Sequence, residues 1–574
     1  MDSLSFPNLG YKKRRFVVSA RLCQVNSSIM VDMEEGFNVM EKEHKIDMIS
    51  ELPDTLLQQI LCFLPTKQVV QSGMLSRRWK HVWHTIPVLE FDRSCFEPKL
   101  WCRDSKKTRQ IQRKRVELYH CVEQNLLSHC RQGLKINKFT LFMKLTTRKS
   151  VSRLDRWIDY AVKGDIEELN LEFYRSLSKR YILPQRVLLA KSITVLTLRG
   201  CRLESLYCDI NLSSLKKLSL SEVHTNDQII HNLVAGCPLI EDMRLESCYG
   251  MKNIHFSALS KLKAIMLRYN ILEKVELEAS NLYDAYIEEN KACVINLIHC
   301  KNLKKLELYT ECMTDEWFHY HISQLAHIEK LIIHCNMLGK IKISSQSLKA
   351  LFLVECDKLV EVKIDTPKLC LLSYCGHSKI SFSLNASVYL SEASYQMVRP
   401  VDHWDVQKIE LLSKLSNSKL LYLTGFYVAK DVVVPKELRD TLPSPSYNVK
   451  QLKVVISQPW NGHEIDRLVD SLLWISPLPE ILVITYWINV KPWKDTASFK
   501  FSYRKPILDE ENPSCCKLLP FPCWRHCLKT VTIENFRVYA DEETLKSEKE
   551  TLEKYFYENA KFLESFQFLG GGFD

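Results

Sequence analysis

Between residues 166 and 356 the chain keeps returning to one short phrase: an apolar anchor, two mostly polar residues, then an apolar-variable-apolar alternation. It reads IEELNLEF from Ile166, ITVLTLRGC from Ile193, LKKLSLSEV from Leu215, IEDMRLESC from Ile240 and LKAIMLRYN from Leu262. It returns as LKKLELYTE from Leu303, IEKLIIHCN from Ile328 and LKALFLVEC from Leu348. Alternation of period two marks a short strand with one face buried, because successive side chains point to opposite sides of the backbone. Recurrence every roughly 20 to 27 residues, with one or two longer gaps, means that each phrase is one unit of a stack. Such units share a continuous core, since no single strand buries its apolar face alone.

This pattern resembles the leucine-rich repeat. Cys201, Cys248, Asn270 and Cys356 stand three residues after the second strand leucine, where that family has Asn or Cys. A small buried group there can satisfy backbone polar atoms as the chain turns, so these cysteines read as structure. The variable residue between the two inward positions points out of the sheet. Thr197, Ser219, Arg244, Met266, Glu307, Ile332 and Phe352 are therefore the candidate target-binding residues, and their mostly uncharged character suits a protein partner. Residues 226–238 look helical, as do the returns in the longer repeats. Beyond about residue 378 the repeat register is lost, although 419–424, 448–456 and 479–487 look like strands.

Residues 46–92 read IDMISELPDTLLQQILCFLPTKQVVQSGMLSRRWKHVWHTIPVLEFD and carry signals for three short helices. Pro53 suits a first helical turn, where no free N–H is needed, and Asp54 suits the positive end of the dipole. Leu56, Leu57, Ile60, Leu61 and Leu64 cover one broad apolar face before Pro65 closes the helix. Val69 and Val70 sit on a second helix; Leu75, Trp79 and Val82 sit on a third. So short a segment buries little area by itself, which implies a partner surface. The ordered set Leu52-Pro53, Ile60-Leu61, Leu64-Pro65 and LSRRW from Leu75, followed by Trp83, resembles the F-box of plant proteins. That resemblance implies a module that docks a Skp-type adaptor, and through it a cullin and a RING subunit. It assigns the adaptor contact to Leu52, Pro53, Leu56, Ile60, Leu61, Leu64, Val69, Leu75 and Trp79, with some of these holding the helices together. The phrase CLKTVTIENFRVYADEETL from Cys527 and a helix over 545–562 resemble the FBD domain that ends many such proteins, although Arg537-Val538-Tyr539-Ala540 replaces that domain's glycine-rich phrase.

The expected fold class is α/β: a flexible tail over 1–45, a trihelical F-box over 46–92 and a helical connector over 93–133. An irregular leucine-rich-repeat solenoid follows over 134–440, then terminal repeats with an FBD-like α/β cap over 441–574. Composition agrees with a folded chain, at 46% hydrophobic and 26% charged residues with 15 glycines among 574. A net charge of +11 spread among 68 acidic residues gives no local basic patch, so neither nucleic acid nor membrane is expected as a partner. No apolar run reaches the roughly 18 residues of a membrane helix. Several of the 21 cysteines lie inside apolar repeat patterns, which reads as reduced thiols in the nucleus or cytoplasm. Lys12, Lys13, Arg14 and Arg15 leave three readings open: a solvated tail, a nuclear import signal or an organelle presequence.

Chemistry-bearing clusters are few. Cys515, Cys516, Cys523, His526 and Cys527 invite a zinc reading, yet they lack paired C-x2-C units, so the segment is read as a plain loop. His403 with Asp402 and Asp405, and His319 with His321, have no nucleophile motif beside them. No cofactor and no catalysis are expected. The leading function is recruitment of a target to a ubiquitin ligase; the alternative is a Skp-binding scaffold without ligase activity, or a small-molecule receptor on the same repeats. A receptor would need a basic pocket and a ligand cavity, for which the sequence shows no dense constellation.

Overall fold

The computed structural model describes residues 51–64, 68–69, 72–73, 76–91, 105–144, 148–174, 180–204, 209–257, 259–289, 293–377, 379–385, 389–397, 404–458, 465–486, 496–508, 513–536 and 542–570. The N-terminal tail with its basic run, Leu75, the Asp402–His403 pair and the 537–540 phrase lie outside these. The chain divides into two compact units, residues 1–61 and 62–574. The first holds a turn and most of the helix Asp54–Cys62. Pro53 stands just ahead of that helix, its carbonyl accepting from the backbone N–H groups of Leu56 and Leu57 at 3.0 and 3.1 Å.

In the second unit the short helix Arg77–Trp83 leads to a strand, Val88–Phe91. That strand pairs in parallel with Lys138–Lys144 and so becomes the first member of the repeat sheet. Between them runs the helix Ser105–Gln132, where the connector was expected to be helical. Its buried His129 bridges two elements: Nε2 meets the Ile86 carbonyl and Nδ1 the Asn125 carbonyl, both at 2.9 Å. The amphipathic helix Arg148–Lys163, which the repeat pattern did not flag, buries Leu154, Trp157, Ile158 and Ala161.

Among the described residues the main sheet has 19 strands. From Val88–Phe91 to Ile481–Tyr486 every neighbouring pair is parallel and follows chain order. Inward residues stack strand upon strand, as in Leu196, Leu218, Met243, Ile265, Ala285, Leu306, Leu331, Leu351 and Leu372. All of these are buried, and each fully buried aliphatic side chain contributes about 1.5 to 3 kcal/mol. Two small parallel sheets, Asn253–Phe256 with Lys274–Leu277 and Val294–Asn296, and Lys340–Ser344 with Glu361–Asp365 and Ser381–Leu384, line the returns.

Longer returns carry helices whose N-termini are chemically fixed. Asn226 caps Asp227–Ala235 by accepting from the Ile229 N–H at 2.9 Å, and Thr314 caps Asp315–Gln324 through Trp317 at 3.2 Å. The first residue of each helix then reaches the start of the neighbouring outer strand. Asp227 accepts from the Lys252 N–H at 2.7 Å, and Asp315 from the N–H groups of Gly339 and Lys340 at 2.8 and 2.9 Å.

The sheet does not end near residue 378, where sequence register was lost. It continues in parallel through Leu390–Met397, Ser418–Phe426, Gln451–Ile456 and Ile481–Tyr486. Only then does it reverse: Thr496–Tyr503 is antiparallel to both of its neighbours, and Ser565–Leu569 closes the edge in parallel with Leu528–Glu534. The helices Ile465–Ile475 and Glu542–Asn559 pack in this terminal part.

Candidate interaction surfaces

On the helix Asp54–Cys62 the apolar residues divide into two sets. Leu57 and Leu61 are fully buried, whereas Leu56 is 43% and Ile60 41% exposed, one turn apart on the same face. Together they form a small apolar patch on the surface of this helix. Pro53 is exposed, and Leu52 and Leu64 are half-buried. Val69 and Trp79 are buried and pack within the chain. Phe63, just beyond the helix, is 87% exposed and escaped the sequence reading because its neighbours Leu61 and Leu64 carried the pattern.

The seven outward positions of the repeats fall into one register. Thr197, Ser219, Arg244 and Met266 follow one another across four adjacent strands, and Glu307, Ile332 and Phe352 across three more. Tyr286 stands between Met266 and Glu307 and completes the row. Its strand, Asp284–Glu289, was missed because small Ala285 occupies an inward position where the phrase elsewhere has a larger apolar residue. Ile332 differs from the rest: at 8% exposure it is covered, standing in register between Glu307 and the larger Phe352. Downstream, Ser373, Ser394, Tyr422 and Lys453 prolong the row.

Around Tyr286 the surface becomes aromatic and charged. Arg268 lies 2.8 Å from Glu288 and 3.4 Å from Glu246, and its guanidinium sits 4.7 Å from the Tyr269 ring centre. Partial burial opposes its charge, but Tyr269 and Glu288 hold its pKa above the ordinary arginine range. The Tyr286 hydroxyl donates to Glu288, and burial followed by this bond pushes the phenol pKa up. Tyr286, Tyr309 and His334 succeed one another with ring centres 5.5 and 5.8 Å apart, and burial raises the Tyr309 pKa to about 12. Lys330 lies 5.2 Å over the Phe352 ring. Half-buried tyrosines, one of them hydrogen-bonded to an ion-paired carboxylate and both set in one row of rings, are suited to anchoring a protein partner, because few rotamers remain to be frozen.

The buried turn positions behave as their spacing suggests. Cys248 donates its thiol to the Leu220 carbonyl at 3.5 Å, and Cys356 donates to Ile333 at 3.8 Å. Asn270 accepts from the Cys248 N–H at 3.0 Å while donating to the Leu245 carbonyl at 2.9 Å. His321 is likewise structural: it stacks on Trp317 at 4.2 Å, and burial lowers its pKa. Cys515, Cys516, Cys523 and His526, scattered in the sequence, converge so that their ligand atoms all lie within 4.8 Å of one another. Their spacing in the sequence gives no sign of this convergence.

Comparison with known proteins accords with this anatomy. Residues 49–91 match the F-box domain, and residues 126–298 and 291–436 match the family described as At1g61320/AtMIF1, LRR domain, together over half of the chain. Among relatives from Arabidopsis thaliana, the F-box/LRR-repeat protein At3g03360 is 26% identical over 54% of this chain and 61% of its own length. The FBD-associated F-box protein At5g56380 is 28% identical over 56% of this chain and 77% of its own length. The putative FBD-associated F-box protein At5g56410 is 23% identical over 81% of this chain and 95% of its own length. The chain thus spans less than two thirds of the first of these relatives. With the strand ladder and the opening helices each accounted for by a family match, the chain belongs to the F-box/LRR-repeat proteins.

Proposed function

We propose that this chain is the substrate-recognition subunit of an SCF-type (Skp-cullin-F-box) ubiquitin ligase and performs no chemistry of its own. The observation that carries the reading is the pair Leu56 and Ile60, exposed on a helix of the F-box. Covering them with the apolar groove of a Skp-type adaptor removes apolar surface from water at about 25 cal/mol per Å2. The adaptor brings the cullin and the RING subunit, which position the charged ubiquitin carrier. Target recognition falls to the row running from Thr197 to Phe352, with Met266, Tyr286 and Phe352 as its apolar and aromatic anchors.

The test is reconstitution with adaptor, cullin and RING subunit, followed by identification of proteins that gain ubiquitin only when this chain is present. A Met266→Ala, Tyr286→Ala, Phe352→Ala variant is expected to lose target modification at least about tenfold while binding the adaptor normally. Loss of adaptor binding in the same variant, or unchanged modification, contradicts the assignment of the row.

A further inference from the structure

The return between the antiparallel strands Thr496–Tyr503 and Leu528–Glu534 is anchored near its end, where Trp524 is buried and Arg525 pairs with Asp470 at 2.8 Å, but its described residues carry little regular structure. Its described residues contain only two short 3-10 turns, Ser514–Cys516 and Trp524–His526, and Leu518 between them is exposed. Yet this segment gathers three sulfurs and an imidazole. Cys515 Sγ lies 3.8 Å from Cys516 Sγ and 3.1 Å from His526 Nε2. Cys516 Sγ accepts from the backbone N–H of Cys523 at 3.1 Å. His526 is buried, and its other nitrogen, Nδ1, has no hydrogen-bond partner, so the ring is anchored through Nε2. Cys527 stands apart, its thiol donating to the Cys523 carbonyl at 3.6 Å.

We propose that Cys515, Cys516, Cys523 and His526 form a structural zinc site that fastens this return. Tetrahedral zinc with sulfur at about 2.3 Å and nitrogen at about 2.0 Å sets ligand atoms roughly 3.5 to 3.8 Å apart. The Cys515–Cys516 separation already meets that spacing, and the widest pair, at 4.8 Å, closes by about 1 Å. Three thiolates and one imidazole are a donor set that selects zinc over harder divalent ions. On binding, each thiol releases its proton to solvent and the metal takes its place, so affinity falls as the pH is lowered. Sequence spacing hid the site because two ligands are adjacent and the others follow after a proline-containing stretch, whereas the two 3-10 turns bring the four together.

The experiment measures metal in the full-length chain, purified without chelator and dialysed, together with cobalt(II) titration of the metal-depleted chain. The expected result is one zinc per chain and the strong visible absorption of tetrahedral thiolate-bound cobalt. Cys515→Ser, at an exposed position, combined with Cys516→Ser, abolishes both, whereas Cys312→Ser and Cys370→Ser, at exposed cysteines elsewhere, change neither. Substoichiometric zinc with no cobalt spectrum in the wild type overturns the proposal, as does metal retained by the double variant or a Cys515–Cys523 disulfide found by mass spectrometry. The cobalt titration of the wild type keeps the question decidable even if a variant unfolds.

Discussion

Where an inner strand ends, the backbone leaves the sheet through a residue in the left-handed region. Gly200, Glu222, Ser247, Tyr269 and Glu355 have φ values of 74, 54, 52, 54 and 49°. Each still donates its N–H across to the next strand; Ser247, for example, reaches the Arg268 carbonyl at 2.7 Å. A side chain makes that conformation costly, by about 1 to 2 kcal/mol, and glycine alone escapes the penalty. Ser247→Gly is therefore expected to stabilise the chain by up to about 1 kcal/mol in denaturant unfolding, since flexibility in the unfolded state offsets part of the gain. Gly200→Ala is expected to cost about 1 to 3 kcal/mol, because its Cβ meets the Phe173 carbonyl oxygen at 2.3 Å. The inward leucines and turn cysteines were legible in the sequence because the fold repeats them at fixed spacing. Glu289 was not: this buried carboxylate, accepting from the backbone N–H groups of Asn270 and Leu272, puts a charged residue at an inward position of its strand, where the repeated phrase has apolar ones.

Among the elements, the terminal helices depend on one carboxylate. Asp470, on the helix Ile465–Ile475, accepts from Arg439 at 2.5 Å, Arg525 at 2.8 Å and the hydroxyl of Tyr555, on the helix Glu542–Asn559, at 2.6 Å. Burial opposes its charge, yet Tyr555 and the two guanidinium groups outweigh burial and hold its pKa below the usual carboxylate range. A depressed folded value means that the contribution is complete above the unfolded pKa of about 3.9 and is lost as pH falls through the folded value. Asp470→Asn is expected to destabilise the chain by about 2 to 4 kcal/mol at neutral pH, and to remove that acid-dependent loss; unfolding midpoints measured across pH read both. The strands that escaped sequence reading also fail at this scale. Leu390–Met397 presents Ala393 and Tyr395 inward, and the returns that follow carry the helices Val406–Lys414, Lys436–Thr441 and Ile465–Ile475, which stretch the interval beyond the repeat's usual length.

At the scale of the whole molecule, two recognition tasks fall to separate parts of the chain. One is an exposed apolar pair on an F-box helix; the other is an aligned row of side chains on a parallel sheet. The family and the solenoid were readable because both rest on short, ordered phrases. Which F-box residues face outward was not, since exposed Leu56 and Ile60 and buried Leu57 and Leu61 share one apolar pattern and only packing separates them. The most direct measurement is co-purification of the full chain with a Skp-type adaptor, beside a Leu56→Asp, Ile60→Asp variant and with thermal unfolding of both as the control. The wild type is expected to capture the adaptor, and the variant, unfolding at the same temperature, to lose at least about tenfold in affinity. Equal capture by both chains, or by neither, would contradict this expectation.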